Sequence, residues 1–193
     1  MDRVRVRPGG RSADVRDRVF AAVRSALERG DPAALTIDEI AHRSGVHKAT
    51  IYRRWLSTAG LVADLLTALT PVKTPLPDTG DLHQDLLEVA TRVADTIASP
   101  MSQAMLPLIA ANTDDRLARA AADYWASLFD HTANVIRRAQ RDGHTAADID
   151  PVQAIESLLA PIYLRALVTH QPVDTTFIAA TVTLTTRTLT SGR

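Results

Sequence analysis

The chain has 193 residues, 46% of them hydrophobic and 23% charged, which is enough apolar material for one large or two small cores and excludes a disordered chain. It contains no cysteine, so disulfide staples, thiolate metal sites and thiol nucleophiles are excluded, and a reducing cytoplasmic setting is expected. Net formal charge is zero, yet residues 1–60 hold 12 Lys and Arg against 7 Asp and Glu, while the remainder holds 10 against 15. A basic head joined to an acidic body points to a polyanion as the partner of the head.

Arg3, Arg5, Arg7 and Arg11 form an N-terminal arm without the apolar stretch of a secretory leader. No uninterrupted apolar run approaches membrane-spanning length, so no membrane partner is expected. Val15, Val19, Val23 and Leu27 then recur every fourth residue and predict a first helix, with Ser12 as its N-cap and Gly30 as its stop. Thr36 and Glu39 have the spacing of a capping box and open a short second helix that ends before Gly45. A third helix is predicted from about His47 to Trp55. Ser57 caps a fourth, with Leu61, Val62, Leu65, Leu66 and Leu69 as its apolar stripe.

Pro71, Pro75, Pro77 and Gly80 break the pattern, so the expected division is a head at 1–70, a junction at 71–80 and a body at 81–193. In the body, Asp81 caps a helix carrying Leu82, Leu86, Val89, Val93 and Ile97. Met101 to Ile109 reads as a short helix disturbed by Pro107. Leu117, Ala121, Trp125, Leu128, Thr132 and Ile136 mark one long helix ending before Gly143, and Asp150-Pro151 opens another that Pro161 should kink. Thr175 to Leu189 is threonine-rich and strand-like by propensity. A lone strand would lack a partner here, and Asp174 stands at an N-cap position, so the segment is read as helix. The fold class is therefore all-α: a helix-turn-helix head on a larger helical body.

Residues 36–55 carry the functional signal. Two helices crossing steeply at a short turn need a small residue at their approach, a glycine in the turn and apolar inner faces. Ala41, Gly45 and Ile51 meet these needs, with Ile40, Val46 and Trp55 extending the buried side. Such a unit places its last helix in the DNA major groove. His47, Lys48, Ala49, Thr50 and Arg53 fall on the face that would meet base edges. Tyr52 and Arg54 fit phosphate oxygens, and Thr36 at a helix start offers another phosphate site. The arginine arm suits the backbone or a minor groove.

These residues resemble the N-terminal domain of the TetR family of bacterial transcriptional regulators over about 14–69. The likeness lies in E-R-G at Glu28 to Gly30, L-T-I-D-E-I-A at Leu35 to Ala41, G-V-H-K-A-T-I-Y at Gly45 to Tyr52, and R-R-W at Arg53 to Trp55. The resemblance implies a homodimer binding palindromic double-stranded operator DNA, acting as a repressor released by a small-molecule effector in the body, with no cofactor. By position it implies phosphate contacts at Tyr52 and Thr36, groove contacts at Lys48 and Thr50, and Trp55 in place of the usual core phenylalanine. Ser57-Thr58-Ala59 departs from the common S-K-E, removing a phosphate-binding lysine and leaving Arg53 or Arg54 to compensate. The soft and aromatic residues Met101, Met105, Leu106, Trp125, Phe129 and Tyr163 are the candidate effector contacts.

Two rivals stand beside this reading. One is a constitutive DNA-binding dimer without an inducer. The other is an all-helical enzyme or ligand carrier, against which the sequence offers no catalytic signature. Its six histidines, His42, His47, His83, His131, His144 and His170, have no metal-ligand spacing, and no nucleophile elbow, phosphate loop or dinucleotide fingerprint occurs. Asp114-Asp115 reads as a helix cap rather than a catalytic dyad.

Overall fold

Helix starts are encoded in side chains throughout the chain. Thr36, Ser57, Asp81, Ser99, Asp114 and Asp150 each accept a hydrogen bond from a backbone N–H of the first turn that follows. In the computed structural model, which describes residues 10–30, 35–69, 74–111 and 113–190, these caps open most of ten α-helices. The head contains α1 (Gly10–Glu28), α2 (Ile37–Ser44), α3 (Lys48–Trp55) and α4 (Thr58–Ala68). The body contains α5 (Leu82–Ala98), α6 (Pro100–Ala110), α7 (Asp115–Thr132), α8 (Asn134–Arg141), α9 (Pro151–Leu164) and α10 (Thr175–Thr190). The arm residues Arg3, Arg5 and Arg7, the Arg11 side chain and Pro71 of the junction lie outside the described residues.

Several predicted details change. Helix α1 begins at Gly10, so Ser12 sits inside its first turn instead of capping it. The single long helix is two, because α7 stops at Thr132 and α8 starts at Asn134. Around this break the Thr132 hydroxyl bonds the Leu128 carbonyl at 2.7 Å and the Asn134 amide bonds the His131 carbonyl at 2.9 Å, local side-chain competition for helix carbonyls. Pro107 does not disrupt α6, which continues around it to Ala110 and is closed by the Ala111 N–H on the Pro107 carbonyl at 2.9 Å. Helix α9 runs through Pro161 and widens into a π-helical turn at Arg165–Thr169, ending on His170 with φ of 50°.

The final segment is helical over Thr175–Thr190, and its threonines explain how β-propensity is overridden. Hydroxyls of Thr181, Thr183, Thr185, Thr186, Thr188 and Thr190 each donate to the carbonyl four residues earlier. Ile178, Val182 and Leu189 meanwhile enter the core.

Two apolar cores result. One joins α1 to α4 and takes in Ala104 and Met105 of α6 and Leu117 and Ala121 of α7, so the interior of the head continues into the body. The other is built on α5, α8, α9 and α10 around Leu86, Ile136, Ile155, Leu158 and Val182. Residues 151–169 are long and apolar enough by length and composition to cross a membrane, which the search for uninterrupted apolar runs missed. Here Ile155, Leu158, Leu159 and Ile162 of that stretch are fully buried against the second core, and Glu156 and Arg165 interrupt it. The segment before α5 is pinned by buried Asp85, which accepts from the Thr79 N–H at 3.0 Å and the Thr79 hydroxyl at 2.8 Å, while Arg138 donates to the Pro77 carbonyl.

Candidate nucleic-acid interface and body cavity

The angle between α2 and α3 is set at Gly45, the C-cap of α2, which adopts φ of 64° and ψ of 23°. Only glycine, and less readily asparagine or aspartate, occupies that region without strain. Val46 then turns into the core, its N–H bonded to the buried Ser44 hydroxyl at 3.3 Å, and Arg18 of α1 donates to the Ser44 carbonyl at 3.4 Å. Gly45→Val is expected to destabilise the protein by about 1–2 kcal/mol, mainly through backbone strain, since an added Cβ would meet only the flexible Arg18 guanidinium, at an ordinary contact distance of 3.8 Å. Chemical denaturation checks this, and Gly45→Asn, which tolerates the conformation, should lose less.

Ile51 and Trp55 of α3 are completely buried, and this fixes what the rest of the helix presents. His47, Lys48, Ala49, Tyr52, Arg53 and Arg54 are exposed, Tyr52 by 49%, and Thr50 is half-buried. The imidazole of His47 does not cap α3, although the residue occupies the N-cap position. Lys48 pairs with Asp38 of α2 across the surface. Arg54 is engaged within the head, donating to the Ser12 carbonyl at 2.9 Å and hydroxyl at 3.0 Å and lying 5.0 Å from the Trp55 ring centroid. Ser12, Val15, Thr50, Arg53 and Arg54 line one surface cleft between α1 and α3. The Thr36 hydroxyl oxygen accepts from the Glu39 N–H at 3.2 Å, whereas the Glu39 carboxylate turns to Arg43, so only half of the capping box forms.

Trp55 also connects the head to the body. Its indole N–H donates to Asp64 of α4 at 2.8 Å, and the other Asp64 oxygen accepts from Arg116 of α7. The same α7 supplies Tyr124, Leu128, His131 and Thr132 to a partly open cavity of about 230 Å³, walled also by Leu76, by Val89, Arg92, Val93 and Thr96 of α5, and by Tyr163 of α9. Of the six residues singled out as effector contacts, Tyr163 alone lines this cavity. Met105, Leu106, Trp125 and Tyr163 surround a neighbouring void of about 30 Å³, while Met101 and Phe129 pack at the edges of the two cores. Sequence reasoning passed over Tyr124 and Arg92, while His131, which fits a core or pocket polar residue by sequence, does line the cavity. Tyr124 shares the helical face of Ala121, Leu128 and His131 and was legible there.

Burial raises the pKa of Tyr124, and burial together with the neighbouring Tyr124 raises that of Tyr163 further, so both phenols stay protonated at neutral pH. Among the described residues no three His, Cys, Asp or Glu side chains gather as a metal site.

A short helix pair crossing at a left-handed glycine, with a cationic face turned outward, defines a helix-turn-helix DNA-binding protein. Residues 20–65 match the family described as bacterial regulatory proteins, tetR family, and residues 76–185 match the tetracyclin repressor-like C-terminal domain. The chain belongs to the TetR family: it is a transcriptional regulator and not an enzyme. Among curated proteins it is 29% identical to the uncharacterized HTH-type transcriptional regulator YdeS of Bacillus subtilis, over 79% of this chain and 77% of that one. It is 26% identical to the HTH-type transcriptional regulator AqdR of Rhodococcus erythropolis, over 85% and 81%. The crystal structure of the TetR family transcription regulator SCO0332 superposes with a TM-score of 0.73 at 33% identity, over 90% of this chain and 97% of that one.

Proposed function

We propose that the protein is a dimeric repressor that holds a palindromic operator through two copies of α3 and lets go when a small molecule occupies the body. The observation that carries the DNA face is the partition of α3, with Ile51 and Trp55 fully buried and Lys48, Ala49, Tyr52 and Arg53 exposed. Lys48 and Arg53 donate to guanine acceptors or phosphate, and Ala49 and Thr50 meet the groove. His47 stands beside them at the helix start. Tyr52 and Thr36 take phosphates. The pair between Lys48 and Asp38 is exposed at both ends, so it is weak and readily exchanged for DNA. Arg54 is the better candidate for holding α1 against α3, with its charge still available to the backbone beside Ser12.

Dimerisation through the last two helices is supported by their surface. Among the described residues five large hydrophobics are exposed, and three of them, Leu164, Val168 and Leu184, lie on α9, its π-helical turn and α10. Two heads held on one such interface meet successive half-sites on one side of the duplex. Control by a ligand is supported by the cavity and by α7, which runs from its wall to Arg116 at the head. A ligand acts only through different affinities for the two head arrangements.

Lys48→Ala and Tyr52→Phe test the assigned face. Each should weaken operator binding about fivefold or more while sedimentation still reports a dimer. Unchanged affinity in both variants would remove α3 from the interface.

A further inference from the structure

Residues 74–79 lie on the path from α4 of the head to α5 of the body and form neither helix nor strand. Thr74 and Leu76 of this linker are part of the cavity wall. Pro75 and Pro77 have a fixed φ and no N–H to donate, which makes the linker a semi-rigid rod held chiefly by its carbonyls. Its fastenings fall into two groups. At the end nearer α4, the Pro75 carbonyl accepts from Arg92 of α5 at 2.7 Å, and His131 Nε2 of α7 lies 3.1 Å from the Thr74 carbonyl oxygen. A carbonyl only accepts, so Nε2 carries the proton in this contact. At the far end, Arg138 donates to the Pro77 carbonyl and reaches Asp78 at 3.5 Å, while buried Asp85 accepts from the Thr79 N–H and hydroxyl. Arg92 and His131 line the cavity, whereas Arg138 and Asp85 stand away from it.

Resting on the ligand-controlled reading above, we infer that Arg92 and His131 are positioning residues that clasp the linker against the cavity, and that a cavity occupant which takes their hydrogen bonds or displaces Leu76 frees the end leading to α4. Location supports this first. A molecule in the cavity meets both near-end clasps and Leu76 but none of the far-end ones, so the linker turns about its anchors at Asp85 and Arg138. Stiffness supports it next, because the two prolines keep the linker from absorbing the displacement by local bending. The near-end bonds are also exposed, so water replaces them at small cost, as a clasp that opens requires. At its other end α4 meets α3 in the joint closed by the Ser57 N–H on the Trp55 carbonyl, so a displaced α4 carries the outward face of α3 with it.

The test uses the full-length protein, whose lack of cysteine allows a nitroxide to be attached at Thr74→Cys alone. Two double variants are compared in that background. Arg92→Met with His131→Leu removes both donors, and Arg92→Lys with His131→Gln keeps a donor at each place. A third variant, Val93→Trp, puts a built-in occupant into the cavity. Label mobility is read by electron paramagnetic resonance, alongside melting temperature and affinity for a palindromic duplex selected by the wild type. The donorless pair should free the label and weaken duplex binding about tenfold, with melting within a few degrees of the wild type, and the donor-keeping pair should return binding to within about twofold. Val93→Trp should free the label and weaken binding. An immobile label or unchanged binding in the donorless pair, or a donor-keeping pair equally weak, would overturn the clasp. Weak binding by Val93→Trp with its label immobile would overturn the clasp and keep the ligand-release reading. A freed label and weak binding in the donorless pair, with Val93→Trp unaffected, would confirm the clasp and overturn release by cavity occupancy.

Discussion

Trp55→Ala is expected to destabilise the protein by about 3–5 kcal/mol, a fall in melting temperature of roughly 10 °C or more for a chain of this size. Three contacts are lost together. The indole fills the centre of the head core at 0% exposure, stands 6.3 Å from the Phe20 ring and is covered by Arg54. Its N–H also leaves Asp64, whose remaining partner is Arg116 of α7. Because the head core includes Met105 and Leu117 from the body, the loss should appear in the single main unfolding transition and not as a separately melting head. Trp55→Phe separates the contributions, since it keeps an aromatic ring and removes the hydrogen bond. It should lose only about 1–2 kcal/mol. Equal unfolding midpoints for the alanine and phenylalanine variants would show that ring packing does not anchor α3.

Gly60→Ala should cost about 1–3 kcal/mol and weaken operator binding as well, although an alanine inside an exposed helix is normally stabilising. A Cβ at this position would stand 2.3 Å from the Trp55 carbonyl oxygen, which is backbone and cannot swing aside. That carbonyl is held in a tight joint between α3 and α4: the Ser57 N–H bonds it at 2.7 Å, and exposed Leu56 takes φ of 62° and ψ of −38°, a rare three-residue turn for a non-glycine. The added methyl must push α3 away from α4, which tilts the outward face built on Lys48 and Tyr52. Thermal unfolding and operator titration of the same preparation check the prediction. A variant as stable and as tight as the wild type would show that the joint is slack.

Most of the head was legible before any coordinates, because its determinants are local. The spacing of Ile40, Gly45, Ile51 and Trp55 depends only on helix geometry, and the caps at Thr36, Ser57, Asp81, Asp114 and Asp150 act within three residues. The outward face of α3, the one proposed to meet DNA, followed from the same spacing, because burying Ile51 and Trp55 turns Lys48 and Tyr52 outward. What escaped was long-range. Nothing near Asp64 announces that it bridges Trp55 and Arg116, 52 residues further on, and nothing near Gly60 announces the carbonyl against it.

The body was harder for a second reason. Trp125 and Met105 suit either a core or a pocket, and here they do both, packing on the head core and lining the void of about 30 Å³ beside Tyr124 and Tyr163. In the last segment, local propensity and tertiary packing disagreed, and back-bonded threonines with buried Ile178 and Val182 decided for helix.

The central claim is that the outward face of α3 docks on DNA by exchanging counterions for Lys and Arg contacts. The most direct measurement is operator affinity as a function of salt, for the wild type and for Lys48→Ala, over about 50–200 mM. The account predicts a steep linear fall of log affinity with log salt in the wild type, and a slope shallower by about one in the variant. An affinity indifferent to salt, or identical slopes for the two proteins, would contradict it.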